Sequence, residues 1–369
     1  MSNGGKEEEK KNEIYSQKKY FALALDPVHI GTGGYRIGRV DNTIVREPAT
    51  ELPKIPGTTI EGVCRNYAYL KAKEKKIEGV TPGCAKGKVK DDKEPCGRCA
   101  ICITFGYAGK DSALQAMALF SDARILLFPV ATMIGPVWVT SPMVLKEAGI
   151  EEKEIPEPQD DGFILPEGSN LKPPEEKLNF GWLLLKQDNN KKTNTSSWKY
   201  VDDPNEEPKL LENVIPDNIF KRIFKRIVIV PDHLFPQIVN SNLEVRTSVA
   251  IDPERGAAEE GALFTYEAIP RGTVLWFDVV YQNPRYFPAL KDKTLNKTLK
   301  WKDKNGKDIE VATNENTSDD DNGAFSLLKA CVEDGLSLFQ FLGVGGMSSR
   351  GFGRIKVLNL EGDKNDGKH

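Results

Sequence analysis

Four of the six cysteines cluster as Cys84, Cys96, Cys99 and Cys102. The run Cys96-x2-Cys99-x2-Cys102, with a fourth cysteine upstream, can close a tetrahedral thiolate site. Four thiolates favour Zn2+, held as a structural ion that staples a loop too polar to fold alone. An iron–sulfur cluster is the rival, since close Cys-x2-Cys spacing also suits it. The bacterial ferredoxin pattern, however, sets its fourth cysteine downstream and before proline, which is absent here. Cys64 and Cys331 fall on apolar stripes and read as small buried hydrophobes.

A second constellation lies near the end of the chain, from Gly343 to Arg354. Five glycines, two serines and two arginines fall in twelve residues. Gly343, Gly345, Gly346, Gly351 and Gly353 let backbone amides approach a ligand closely. Successive amides with Ser348, Ser349 and Arg350 can form a nest for anions, in which arginine grips phosphate. An apolar helical pattern precedes this loop and a strand-like run, Arg354 to Leu360, follows it. The common nucleotide motifs run strand, loop, helix, and the P-loop needs Lys followed by Ser or Thr. Neither condition holds, and a plain helix-to-strand turn is the other reading.

Candidate acid–base groups are few. The histidines are His29, His233 and the terminal His369. His29 follows a strand pattern and opens a glycine-rich stretch, a place for a functional group or for a structural ring bonded to backbone. Asp41 follows the flexible run from Gly31 to Val40. An exposed carboxylate there can take a proton from a hydroxyl or coordinate Mg2+, or it can simply make an Asx-turn. No HExxH, Gly-x-Ser-x-Gly or kinase signature occurs.

The elements that must position these groups are legible in outline. Tyr20 to Leu25 alternates and reads as a strand. A helix begins near Thr58, where Thr58 and Glu61 match a capping box and Ile60, Val63, Cys64 and Tyr67 form a buried stripe. Arg65 and the following lysines add positive charge, which a solvated helix face also explains. Leu119 to Val130, Val137 to Val139, Ile227 to Val230 and Gly272 to Tyr281 read as further strands. The stretch 79–106 is the candidate zinc loop, and 145–211 reads as an insertion or projecting hairpin. Glu244 to Glu267 reads as loop-rich, and 290–322 as a polar excursion with a hairpin turn at Asn305-Gly306. Strands and helices alternate sparsely, which suits an α+β, ferredoxin-like (RRM-like) palm with large insertions better than a doubly wound sheet.

The chain has 369 residues, 39% hydrophobic and 28% charged, with a formal net charge of −3. It can bury a core, and it carries no global basic signature, so any nucleic-acid surface must be local. No run of 18 apolar residues occurs, so no transmembrane helix and no membrane partner are expected. Residues 1–18 are charged, lack an apolar core region and read as a disordered tail rather than a secretory signal. A cytoplasmic setting with reduced thiols is the expectation. One domain, 19–362, holds the rest.

Four stretches, taken together, resemble a known family. They are Leu25 to Gly31 with Val40-Asp41, Ile55 to Arg65, Phe120 to Val130, and the terminal glycine loop. Ile251 to Pro253 with Gly261 to Leu263 and Glu267 adds a weaker fifth. The pattern is similar to the backbone subunits of type III CRISPR RNA-guided complexes in the RAMP superfamily, above all the Cmr-type, with the Csm-type as near relative. The cysteine cluster departs from the Cmr-type pattern and is similar to the Csm-type.

The resemblance implies a palm with a projecting β-hairpin thumb, stacked in copies along CRISPR RNA within a helical filament containing other type III effector subunits. The thumb would wedge between bases, with 145–211 as its candidate and Trp182 or Trp198 as the wedge. Arg65 and the loop residues Gly343, Gly345, Gly346, Ser348, Ser349, Arg350, Gly351 and Gly353 would hold crRNA phosphates. By motif, Asp41 matches the aspartate on which target-RNA cleavage depends, with Mg2+ or Mn2+ expected, and His29 matches a nearby histidine. Glu267 is an accessory candidate. A scaffold that binds guide RNA without cutting is the alternative.

Overall fold

The computed structural model describes residues 14–33, 40–88, 94–151, 155–201, 207–213, 222–287, 299–303, 305–311 and 321–361. Two compact units emerge where the sequence suggests one domain. One draws on residues 1–17, 68–119 and 280–334, the other on 18–67, 120–279 and 335–369. Residues 1–13 of the expected tail lie outside the described residues, and the first strand already begins at Tyr15.

The larger unit is built on a mixed sheet. Its strands lie in the order Ile227–Ile229, Gly135–Thr140, Ala123–Thr132, Val274–Gln282, Tyr15–Ala24 and Ile355–Val357. Ala123–Thr132 and Gly135–Thr140 form an antiparallel hairpin, against which Ile227–Ile229 pairs in parallel. The short strand Lys54–Ile55 pairs with Ala123–Thr132. Phe21, Phe128, Val139, Ile229, Leu275 and Val279 are all buried. Each such side chain contributes about 1.5–3 kcal/mol by leaving water. At the margin, Asn359 replaces a strand rung: Phe21 donates its N–H to Asn359 Oδ1 at 3.0 Å, and Asn359 Nδ2 donates to Lys19 O at 2.7 Å.

The helix Gly57–Glu74 places Ile60, Cys64, Ala68 and Ala72 at four-residue spacing, all buried. It starts one residue before Thr58, and its first amide is capped from a distance. Gly57 N–H donates to Asp122 Oδ1 at 2.8 Å, while Lys54 Nζ reaches Asp122 Oδ2 at 2.6 Å. Burial raises the Asp122 pKa, but Lys54 and the Gly57 amide outweigh it and hold the carboxyl below its ordinary value. A carboxylate there also complements the helix dipole. Residue 57 must lack a Cβ, since one would sit 2.5 Å from Phe120 O. Cys64 packs tightly against the helix Asp321–Ser337, where a Cβ on Gly335 would lie 2.4 Å from Cys64 O.

The segment 145–211 holds a small sheet ordered Gly162–Phe163, Leu183–Gln187, Lys177–Phe180. Trp198 is fully buried and donates its indole N–H to Thr193 Oγ1 at 3.1 Å, so it cannot act as a wedge. Trp182 is 72% exposed. The stretch read as loop-rich is instead a long antiparallel ribbon, Glu244–Asp252 with Ala257–Ala268, whose register shifts between Val249 and Ile251. It exposes Val245, Val249, Ile251, Leu263 and Phe264.

In the smaller unit, the hairpin Leu299–Lys302/Asp308–Val311 turns at Asn305-Gly306 as the sequence suggests, with Gly306 at φ +77°. Trp301 is buried and donates its indole N–H to Asp334 Oδ2 at 2.8 Å, on which Lys75 Nζ also closes.

Candidate functional site

Asp41 is held by one residue of the ribbon. Thr265 donates both its backbone N–H and its hydroxyl to Asp41 Oδ2, each at 2.8 Å, and Asp41 N–H donates to Thr265 Oγ1 at 2.9 Å. The backbone bond from Thr265, and then its hydroxyl, lower the Asp41 pKa below the ordinary carboxylate value. The carboxylate is ionised, fixed at one oxygen, and partly exposed.

The next two ribbon residues hold His29. The imidazole is buried, its Nδ1 lies 2.7 Å from Glu267 O, and its ring meets Tyr266 edge-on at 5.5 Å. A carbonyl only accepts, so Nδ1 carries a proton and donates it to Glu267 O. Nε2 faces Gly31, where a Cβ would come within 3.1 Å.

Glu267 turns out to be a strut. Arg46 Nη2 donates to Glu267 Oε1 at 2.6 Å, and Ile44 N–H donates to Oε2 at 3.2 Å. Arg46 is itself braced by Asn240 Oδ1 at 3.1 Å and Ile44 O at 3.2 Å. Both carboxylate oxygens are engaged, so Glu267 fixes the segment carrying Asp41 and is not placed to move a proton.

The glycine loop divides into a buried root and an exposed rim. Gly343 and Gly353 are buried, and their amides donate to Phe339 O and Pro27 O. They shape the loop and are not open to a phosphate. Tyr67 ties the root to the first helix by donating its hydroxyl to Gly343 O at 2.7 Å. Gly345, Gly346, Ser348, Ser349, Arg350 and Gly351 are exposed. Gly345, at φ +87°, leaves no room for a side chain: a Cβ would lie 2.4 Å from Ile30 Cδ1 and 2.6 Å from His29 O. Gly346 N–H donates to His29 O at 3.0 Å, so the loop and the His29 segment are one assembly. Arg350 is exposed, and among the described residues it makes no ion pair. Arg65, by contrast, is only 6% exposed, with Glu61 at 4.0 Å, so its guanidinium is not presented to solvent.

Sequence reasoning missed Thr265 and Arg246. Arg246 Nη1 reaches Gly351 O at 3.4 Å, and its guanidinium lies 5.0 Å from the centre of the Phe352 ring. No local pattern marks either residue as part of the site, because the site residues they meet, Asp41 and Gly351, lie far away in the chain.

The cysteine cluster is a separate site in the smaller unit. The four sulfurs all lie within 4.8 Å of one another, and Cys96 Sγ is 3.9 Å from Cys102 Sγ. Sulfurs arranged tetrahedrally at about 2.3 Å from Zn2+ stand about 3.8 Å apart. Backbone amides of Thr81 and Cys96 donate to Cys84 Sγ at 3.4 and 3.5 Å, and that of Cys102 donates to Cys99 Sγ at 3.5 Å. Amides aimed at sulfur stabilise thiolate. Hydrogen bonding to Cys102 lowers the Cys96 pKa to about 6 and puts Cys84 far below the thiol range. Hydrogen bonding to neighbouring sulfurs pushes Cys99 and Cys102 up, Cys99 mainly through Cys102 and Cys102 mainly through Cys84. Four sulfurs that cannot all ionise alone, with amide donors in place, fit a divalent metal ion such as zinc. Among the described residues no other group of three or more His, Cys, Asp or Glu side chains could hold a metal.

A mixed sheet with an outlying β-ribbon and a glycine loop closing on a buried histidine defines the class of this protein. The chain belongs to the RAMP superfamily, whose family model matches residues 22–356. It is 29% identical over 304 residues to the CRISPR system Cmr endoribonuclease Cmr4 of Pyrococcus furiosus, covering 79% of this chain and 89% of that protein. The crystal structure of oligomeric Cmr4 from Pyrococcus furiosus is similar with a TM-score of 0.52 at 20% identity, over 94% of this chain and 98% of that one. A chain from the cryo-EM structure of the type III-B Cmr-beta complex bound to cognate target RNA gives a TM-score of 0.55 at 12% identity, over 94% and 98%. These two structural likenesses concern the fold. Among the described residues, no helix is long and apolar enough to cross a membrane.

Proposed function

We propose that this chain is a backbone subunit of a type III CRISPR effector complex, binding crRNA and cutting complementary target RNA at regular intervals. Copies of the chain stack along the guide with other type III subunits, in the cytoplasm. The observation that carries this reading is the Asp41 carboxylate, ionised and clamped at Oδ2 at the root of an exposed apolar ribbon.

RNA supplies its own nucleophile, the 2′-hydroxyl. The protein need only align it with the adjacent phosphorus, take up its proton and offset the developing charge as the P–O5′ bond breaks, which leaves a 2′,3′-cyclic phosphate and a 5′-hydroxyl that gains its proton from water. Asp41 Oδ1 is the acceptor for that proton, or the ligand of a divalent cation. Mg2+ is commonly bound through one or two carboxylates plus waters and phosphate oxygens, so a single aspartate suits it or Mn2+. When bound, the cation supplies positive charge beside the scissile phosphate. His29 orients the loop through its backbone, whose carbonyl accepts from Gly346 N–H.

The ribbon Glu244–Ala268 is our candidate for the thumb on a ferredoxin-like palm, in place of 145–211. Its Ile251 and Leu263 are each 62% exposed, and apolar side chains presented in this way can unstack bases. Guide phosphates are held by the exposed rim from Gly345 to Gly351, with Arg350 and Arg246. Pairing between guide and target reads the sequence, so a mildly acidic chain needs only local backbone contacts. Zn2+ is the ion we assign to the four cysteines.

Asp41→Asn in a reconstituted complex tests the reading. Target cleavage is expected to fall by about 10²–10⁴-fold, while assembly and guide binding persist. Undiminished cutting would leave the chain a guide-binding scaffold.

A further inference from the structure

We propose that Thr265 is the positioning residue that sets the Asp41 carboxylate for cleavage, and that through it the ribbon carries the carboxylate as a fixed attachment. The inference rests on the reading of Asp41 as the residue on which cleavage depends. The geometry is a closed ring. Asp41 N–H donates to Thr265 Oγ1 at 2.9 Å, and the same hydroxyl donates onward to Asp41 Oδ2 at 2.8 Å. Thr265 N–H donates to the same oxygen at 2.8 Å. A threonine hydroxyl can accept and donate at once, and both capacities are in use. The β-branched side chain has restricted χ1 freedom, so the hydroxyl is held where the ring needs it.

The surrounding contacts leave Asp41 little other support. The neighbouring Asn42 donates its N–H to Thr265 O at 3.0 Å and accepts from Glu267 N–H at 3.0 Å, so the backbone of this segment rides on the ribbon. The carboxylate itself is tied to the ribbon through Thr265. With Oδ2 saturated by two donors, Oδ1 is the oxygen turned to the reaction. Phe264, the residue before Thr265, is an exposed apolar side chain of the ribbon. A displacement of the ribbon by RNA is thereby passed directly to the carboxylate.

The test uses complexes reconstituted with guide RNA and carrying Thr265→Val, Thr265→Ala, Thr265→Ser or Asp41→Asn. Single-turnover cleavage at saturating target is measured beside target affinity. Loss of the hydroxyl in the valine and alanine variants is expected to slow cleavage about 10–100-fold, the scale of a misplaced reacting group, with target affinity unchanged. Serine, which keeps the hydroxyl, is expected to stay within about threefold of wild type, a rescue that a purely structural role does not predict. Should valine fail to fold, the alanine–serine pair decides the matter. Wild-type rates for alanine beside an inactive Asp41→Asn overturn the inference alone. Serine as slow as alanine, or a loss of target affinity that accounts for the loss of rate, overturns it as well. Continued cutting by Asp41→Asn overturns the underlying reading, and the inference with it.

Discussion

Asp41 and the four cysteines show two ways in which hydrogen bonding prepares a charged group. At Asp41, two donors from one threonine hold the carboxylate ionised while it stays in contact with solvent. At the cysteines, amides point at sulfur before any ion is considered. Sulfurs so placed could hold a metal ion, and a structural Zn2+, the ion we propose, would contribute to folding outright. The purified chain is expected to carry about one zinc. Cys96→Ser is expected to lose that zinc and to lower the thermal midpoint by more than about 5 °C. Metal analysis and a melting curve check both, and iron in place of zinc would refute the assignment. The cysteine spacing made this cluster visible from the sequence, because three of its ligands are local. His29 and Asp41 stood out as candidates by residue type and loop context, but their roles came only from the resemblance. Their common support, residues 265–267, lies more than two hundred positions away from the two that it holds.

The elements were legible wherever one face is buried. Tyr15–Ala24, Gly57–Glu74, Gly135–Thr140 and Val274–Gln282 all fall close to their expected places, because alternation or four-residue spacing records burial directly. The ribbon Glu244–Ala268 was read as loop because much of its surface is exposed, so its side chains carry no such record. The capping box at Thr58 misled for a related reason. The helix takes its cap from Asp122, sixty-five positions away, which a local pattern cannot announce. The loop from Gly343 to Gly353 depends on positive φ at Gly345, in a space already filled by Ile30 and His29. Gly345→Ala is therefore expected to destabilise the fold by about 1–3 kcal/mol. It should also weaken guide binding, because the exposed rim would shift with it. Denaturant unfolding and guide-binding titration check this; an unchanged midpoint would show that the loop relaxes freely.

Over the whole molecule, the balance of charge and apolar surface divides the work. With a net charge of −3, the chain has no long-range pull on RNA, so under the proposed function affinity comes from short-range contacts summed over stacked copies. The apolar ribbon is too exposed to serve the core, and we propose that it serves the RNA. The double variant Ile251→Ser, Leu263→Ser is expected to change stability by less than about 0.5 kcal/mol. It should nevertheless blur the regular spacing of cuts on target RNA. A gel of cleavage products tests this, and sharp, evenly spaced products would remove the ribbon from the wedging role.

One margin of the sheet has a bearing on how the protein is made. The strand Tyr15–Ala24 emerges early from the ribosome, yet its neighbour Ile355–Val357 and the bracing Asn359 are among the last described residues to be synthesised. Until those residues are made, the backbone N–H and C=O groups of Ala22–Ala24 that they pair with stay bare. An open strand edge is a template for pairing with other chains, and many ribosomes on one messenger would hold such edges close together. A chain stopped just before residue 355 would thus keep that edge open to pairing.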